Sequence, residues 1–176
     1  MRAAGTILLV TFALAAPAPA TVLRQIDHLV YATPDLNLGI DTAEKLFGVR
    51  ATPGGQHPGE GTRNALIALG PTSYLEIIGP DPEQARPARG RRFGIDDITA
   101  PRLTTWVAKG KALDQFAAEA KAHGVNVGAV IPGSRKRPDG VVLSWTYTDP
   151  RVVLADRPAL IATFDSPKGR VELSSR

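Results

Sequence analysis

The chain has 176 residues, enough for one domain or two closely packed half-domains with an independent core. Apolar residues make up 43% and charged residues 22%, which argues against wholesale disorder, and the net charge is only +4. Cysteine is absent, which excludes disulfides, thiolate nucleophiles and zinc–thiolate sites and leaves His, Asp and Glu to hold any metal.

The first twenty residues stand apart. Met1-Arg2 is a short positive start, Ile7–Ala16 is apolar, and Ala18-Pro19-Ala20 has the small residues of a cleavage site. Two readings are open: an export signal over residues 1–20, giving an exported protein, or an extension from an upstream start on a cytoplasmic one. The apolar run is too short for stable membrane insertion.

Ile26-Asp27-His28-Leu29-Val30-Tyr31 alternates and is rich in branched and aromatic residues, so a strand is expected. Asp35 is placed to cap a helix over Leu36–Phe47, which Gly48 stops. Residues 52–62 contain four glycines and two prolines and read as a loop without regular structure. No Gly-Lys-Ser/Thr follows it, so it is not a phosphate-binding P-loop. Strands are expected at Asn64–Leu69 and Ser73–Ile78, joined by a tight turn at Gly70-Pro71-Thr72.

Residues 79–101 hold four prolines and the cluster Arg86, Arg89, Arg91 and Arg92, and read as a linker. That cluster, like Arg135, Lys136 and Arg137, is either a solvated loop or a clamp for an anionic small molecule. Few aromatics accompany it, so nucleic acid is not expected as a partner. The pattern then restarts: a strand at Arg102–Ala108, a helix at Ala112–His123 capped by Gly124, and strands at Val125–Ile131, Val141–Thr148 and Ala159–Phe164. His123 reads as a helix C-terminal residue favoured by the dipole.

Ile26-Asp27-His28-Leu29-Val30-Tyr31-Ala32, Gly54–Leu66, Tyr74-Leu75-Glu76-Ile77-Ile78, and Arg137-Pro138-Asp139-Gly140 with Trp145 together resemble the glyoxalase-like domain family of the vicinal oxygen chelate superfamily. The similarity covers about residues 24–148 and weakens toward 165. It implies an α+β fold of paired βαβββ modules, forming a curved mixed sheet around a ligand cup. The chain would divide into module one at 24–80, a Pro/Arg-rich linker at 81–101, module two at 102–165, and a tail at 166–176. The resemblance also implies one divalent metal ion, held by a residue on the first and last strands of each module. His28 and Glu76 match two of those positions. Thr105 is expected opposite His28, and Leu160–Phe164 offers no His or carboxylate, so a four-ligand glyoxalase site is absent.

Parity puts Ile26, His28 and Val30 on one strand face and Tyr74, Glu76 and Ile78 on another. An ionised Glu there is costly to bury without a partner. Three readings stand: a metal site, a ligand-facing polar pair without metal, and a structural His28–Glu76 hydrogen bond. Were the glycine-rich segment to fold over the cup, His57 would complete a set of His28, His57 and Glu76, suited to Zn, Fe, Mn or Ni; otherwise His57 is an exposed loop residue. Asn64, Arg137 and Trp145 are the expected substrate contacts, against bland readings as backbone ligand, solvated side chain and core residue. Glu76 and His57 are the catalytic candidates.

The expected function is binding of a small oxygenated molecule, with divalent-metal-dependent lyase, isomerase or dioxygenase chemistry. The alternatives are a non-catalytic, bleomycin-resistance-like binding module without metal, and an interaction domain whose cup is filled by side chains. A homodimer is the expected assembly.

Overall fold

The computed structural model describes residues 25–110 and 112–151, together with the backbone of the strand Ala159–Phe164. The export-signal segment 1–20 and the tail 166–176 lie outside the described residues.

Two βαβββ modules follow one another. The first comprises β1 (Gln25–Ala32), α1 (Leu36–Phe47), β2 (Thr52–His57), β3 (Thr62–Ala68) and β4 (Tyr74–Pro80). The second comprises β5 (Arg102–Gly110), α2 (Leu113–Ala122), β6 (Val130–Lys136), β7 (Val142–Thr148) and β8 (Ala159–Phe164). The strands close into a mixed barrel in the order β1-β4-β3-β2-β6-β7-β8-β5. Only β1/β4 and β5/β8 are parallel. The modules meet along β1 and β5, antiparallel over most of their length, and at the single β2–β6 pair Gln56↔Lys136. Among the described residues no helix is long and apolar enough to cross a membrane.

Local chemistry explains the first helix. Asp35 Oδ1 accepts from the Leu38 amide at 2.9 Å, satisfying one free N–H of the first turn. Gly48 ends the helix at φ 70°, the left-handed conformation that favours glycine. Leu36, Gly39, Ile40 and Ala43 face the sheet. They pack with Tyr31, Ile67, Leu75 and Ile77 into one core cluster outside the barrel. The alternate residues of β1 and β4 point inward, where Val30, Ala32 and Ile78 join Val107 and Tyr147 in a second cluster. This alternation places Glu76 among interior side chains.

Four expectations change. Residues 52–57 form β2, paired with β3 from Thr52↔Leu66 to His57↔Thr62 with an irregularity between Pro53 and Gly55. Their glycines serve close approach: a Cβ on Gly54 would meet Asn64 Oδ1 at 2.2 Å and Arg135 Nη1 at 2.8 Å. The strand expected at Val125–Ile131 starts at Val130 and runs to Lys136, because Gly124 and Gly128 have positive φ and keep the chain turning. Across from His28 stands Val107, while Thr105 pairs with Val30. A register shift between Ile26 and His28 also breaks the parity of β1, leaving Ile26 48% exposed while Asp27 and His28 are both buried.

Residues 81–101 are tied down at several points. Asp81 is buried and accepts from the Glu83 amide and Gln84 Nε2. A 3-10 segment, Arg92–Asp97, sends Ile95 into the inner cluster beside Ile98. Within it Phe93 has φ 60°, costly for a residue with a Cβ.

Gly39 gives a direct test of the α1–sheet contact. A Cβ there would stand 2.8 Å from Thr33 Cγ2 and 2.9 Å from Ile77 Cγ2, on residues with no exposed surface. Gly39→Ala gains helix propensity but overpacks this seam, so denaturant unfolding is expected to show a net loss of about 1–3 kcal/mol. An unchanged or increased stability would mean the seam is looser than described.

Candidate functional site

The site grows from the irregularity in β1, which brings adjacent residues Asp27 and His28 together inside. His28 Nδ1 lies 2.8 Å from Asp27 Oδ1, and Asp27 Oδ2 lies 3.2 Å from Lys109 Nζ on β5. On its other side His28 Nε2 is 3.4 Å from Glu76 Oε2, and its ring stacks on Tyr74 at 4.6 Å between centroids. Burial disfavours the charged imidazole, but the flanking carboxylates outweigh it and raise the His28 pKa above the ordinary 6.5. The two flanking carboxylates thus favour the imidazolium form of His28.

Glu76 is the hub. Its Oε1 accepts a 2.6 Å hydrogen bond from Asn64 Nδ2, from the neighbouring strand β3. Burial alone would raise its pKa; the His28 hydrogen bond and charge, His57 and Asn64 outweigh that and hold the carboxyl well below the usual range. His57, at the end of β2, places Nε2 3.6 Å from the same Oε1 and 3.4 Å from Asn64 Nδ2. The 2.6 Å contact claims the Asn64 amide more strongly than the 3.4 Å one. Nδ1 of His57 lies 3.0 Å from Thr62 Oγ1. Burial, then the charge of Arg92, lowers the His57 pKa from 6.5 to about 3, so this ring is neutral.

The facing wall comes from the second module and the 3-10 segment. Arg92, Phe93, Val107, Arg135, Trp145 and Tyr147 line the same cavity as His28, His57, Asn64, Tyr74 and Glu76. Trp145 and Tyr147 alternate along β7, and Gly133 on β6 makes room for them: a Cβ there would meet Trp145 Nε1 at 2.6 Å and Tyr147 Cε1 at 2.8 Å. The Arg92 guanidinium lies over the Tyr147 ring at 5.2 Å. Four buried atoms in this cup have no hydrogen-bond partner among the described residues: Asn64 Oδ1, Arg92 Nε and Nη2, and Tyr147 Oη.

His28, His57, Asn64, Glu76 and Trp145 therefore line one cavity. Arg137 does not: it lies beyond the end of β6, half exposed, and pairs with Asp139 at 2.9 Å. Two residues earlier, the 5% exposed Arg135 takes the inward place. Asp27 and Tyr147 are not among the residues expected from the sequence, and Arg92 and Arg135 are expected there only as members of clusters that are either solvated or a clamp for an anion. The adjacent polar pair Asp27-His28 inside an apolar strand was a readable sign of the first. Nothing local separates Arg92 and Arg135 from the arginines around them. A larger groove of about 680 Å³ lies between α2 and residues 124–130, but alanine, valine and backbone dominate its walls.

The structure does not show the expected metal set of His28, His57 and Glu76. Among the described residues no three His, Asp or Glu side chains form a group that could hold a metal ion. The geometry gives the reason: His28 addresses Oε2 of Glu76, whereas His57 and Asn64 address Oε1. Arg92 and Arg135 add positive charge to the same cup. The divalent ion implied by the resemblance does not fit these side chains as arranged.

The sequence matches the glyoxalase-like domain family over residues 26–171. No curated protein matches it. Among solved structures it is similar to a hypothetical protein from Staphylococcus aureus, at 14% identity and TM-score 0.60 over 80% of this chain and 59% of that one. A hypothetical protein from Bacillus halodurans shares 15% identity at TM-score 0.50, covering 82% and 98%. Methylmalonyl-CoA epimerase from Mycobacterium tuberculosis shares 18% at TM-score 0.47, covering 85% and 92%. At these identities the likeness extends to the fold alone. The family match spans most of the chain, and the chain belongs to the glyoxalase-like domain family.

Proposed function

We propose that this chain binds a small oxygenated molecule in the barrel cup, with Asn64, Glu76 and His57 meeting its oxygens and hydroxyl hydrogens. The observation that carries the reading is the buried Asn64 Oδ1, which has no partner although the amide's other end is committed to Glu76. A buried acceptor left open costs about 1–3 kcal/mol, a cost that a hydrogen-bonding ligand removes. Glu76, ionised, and His57, neutral, are further acceptors facing the same space.

A second reading adds proton transfer to or from the bound molecule, as in a lyase or isomerase. It is favoured by the opposed displacements of the two imidazoles beside one carboxylate: the His28 pKa is raised, and that of His57 is lowered to about 3. Groups whose environments push their pKa values apart are the usual acid and base of such a site. His28 would supply a proton, His57 or Glu76 would accept one, and Asp27 would stabilise the charged His28. No step is assigned to a divalent ion.

A thermal-shift screen of small oxygenated metabolites tests the binding reading. Compounds that raise the melting temperature of the wild type should lose most of that effect in Asn64→Leu. Hits that act equally on the variant would place the binding elsewhere. For the second reading, hits that bind should exchange a carbon-bound hydrogen with deuterated solvent, and His57→Gln should abolish exchange while binding persists. Binding without exchange leaves the non-catalytic reading. Added Zn, Mn, Ni or Fe should leave the melting temperature unchanged, and a rise of several degrees would restore the metal assignment.

The buried pair also sets the pH dependence. The folded His57 pKa of about 3 lies below the ordinary 6.5, so below pH 6.5 the unfolded chain takes up a proton that the folded one does not. Stability should therefore fall by about 1.4 kcal/mol per pH unit from this group as pH drops. Glu76, with its pKa lowered from 4.5, adds a loss of the same sign only below pH 4.5. His28, raised, contributes fully below pH 6.5 and loses its contribution only as pH rises through its folded pKa. Urea melts between pH 6.5 and 4.5 should show the His57 slope in the wild type and a shallower one in His57→Gln.

A further inference from the structure

The wall opposite Glu76 is built from donors that lack acceptors. Arg92 is 5% exposed, and its Nε and Nη2 have no hydrogen-bond partner. Its nearest carboxylate is Glu60, 3.9 Å from Nε. Glu60 is already bound by Arg89 and Arg151, each at 2.5 Å. Arg135 is also 5% exposed; the carboxylate that acts on it is Glu76, with no ion pair or hydrogen bond to it among the described residues. Tyr147 Oη completes the set as a third buried, unsatisfied polar group. The one carboxylate lining the cup, Glu76, is committed to His28 and Asn64.

Two guanidinium groups buried without hydrogen-bonded counter-ions cost several kcal/mol in an isolated protein. Ring stacking on Tyr147 repays part of this for Arg92. The planar fork of an arginine matches a carboxylate through two parallel hydrogen bonds, which a single amide or hydroxyl cannot supply. Gly54 and Gly133 keep the space clear, because a Cβ at either would strike Arg135 or the rings of Trp145 and Tyr147. The cup leaves about 30 Å³ for the centres of water-sized groups, which suits the few heavy atoms of a small acid.

We propose that Arg92, Arg135 and Tyr147 form a carboxylate receptor, and that the molecule taken by this cup is a small organic acid. The proposal rests on the small-molecule reading of the site and names the charge of its ligand. The acid end sits against the arginine wall, leaving its oxygenated remainder to Asn64 and Glu76.

Isothermal titration of the full chain at constant ionic strength tests it, with lactate, pyruvate, lactamide as the neutral counterpart of lactate, and inorganic phosphate. Lactate or pyruvate should bind in the millimolar range or tighter, with lactamide and phosphate weaker by about tenfold or more. Arg135→Gln should weaken the acids by a similar factor and leave lactamide unchanged. Arg92→Lys keeps the buried charge but loses the fork, and should weaken the acids while the near-ultraviolet dichroism stays native. Equal binding of lactate and lactamide, both weakened by Asn64→Leu, would overturn the receptor and keep the small-molecule reading. Acid binding that is lost in Arg135→Gln but intact in Asn64→Leu would keep the receptor and overturn the assignment of Asn64. Tighter binding of phosphate, acid binding indifferent to both arginine variants, or no binding of either acid would each overturn the proposal.

Discussion

A single ionised carboxylate, buried near the middle of the barrel, organises the rest of the interior. Glu76 sits on an inward position of β4, where burial alone would favour its neutral form. It stays charged because His28 and Asn64 reach it from the strands on either side of β4. Each of those partners carries a further requirement. His28 needs Asp27 to hold its charge, Asp27 needs Lys109, and the strand must break its alternation to bring Asp27 inward. The irregularity in β1 thus serves the electrostatics of the neighbouring strand β4.

The two modules have diverged in what they give to this centre. Module one supplies the polar cluster through β1, β2, β3 and β4. Module two supplies Val107 across from His28, the rings of Trp145 and Tyr147, and Arg135. Acidic and imidazole groups line one wall and guanidinium groups the other. His57 feels both walls, since Arg92 and Arg135 depress its pKa while Glu76 raises it. Its neutrality is a property of the assembled barrel rather than of β2.

Much of the fold was legible because the signals were local. Asp35, the helical spacing of Leu36, Ile40 and Ala43, and Gly48 define α1 within a residue or so. The two-fold recurrence of strand, helix and strands gave the module pattern. Residues 52–57 failed because glycine and proline were taken as breakers, whereas Gly54 is small to admit Asn64 and Arg135 from distant strands. Such a reason exists only in three dimensions. The same holds for β6, which runs through Pro132-Gly133 because the Trp145 and Tyr147 rings need the space above Gly133. At the site, His28 and Glu76 could be found from strand parity and family resemblance, whereas parity alone turns Asp27 outward, because a one-residue shift reverses it and only its place beside His28 hints otherwise. Arg135 and Arg137 share parity, but β6 ends between them, and Arg135, still on the strand, is the one that lines the cavity.

The 3-10 segment joins the two halves of this account. Its sequence reads as a linker between modules, yet it delivers Arg92 and Phe93 to the cup and Ile95 to the core beneath it. Ile95 and Ile98 anchor it through apolar burial, and the Arg91–Asp96 pair at 2.6 Å closes it on itself. The positive φ of Phe93 is the conformational cost of that path, held in place by the anchors on either side. A flexible tether would need none of these contacts. With them, the connection between two modules becomes part of the cavity wall, and part of the charge that faces Glu76 comes from a residue belonging to neither module's sheet.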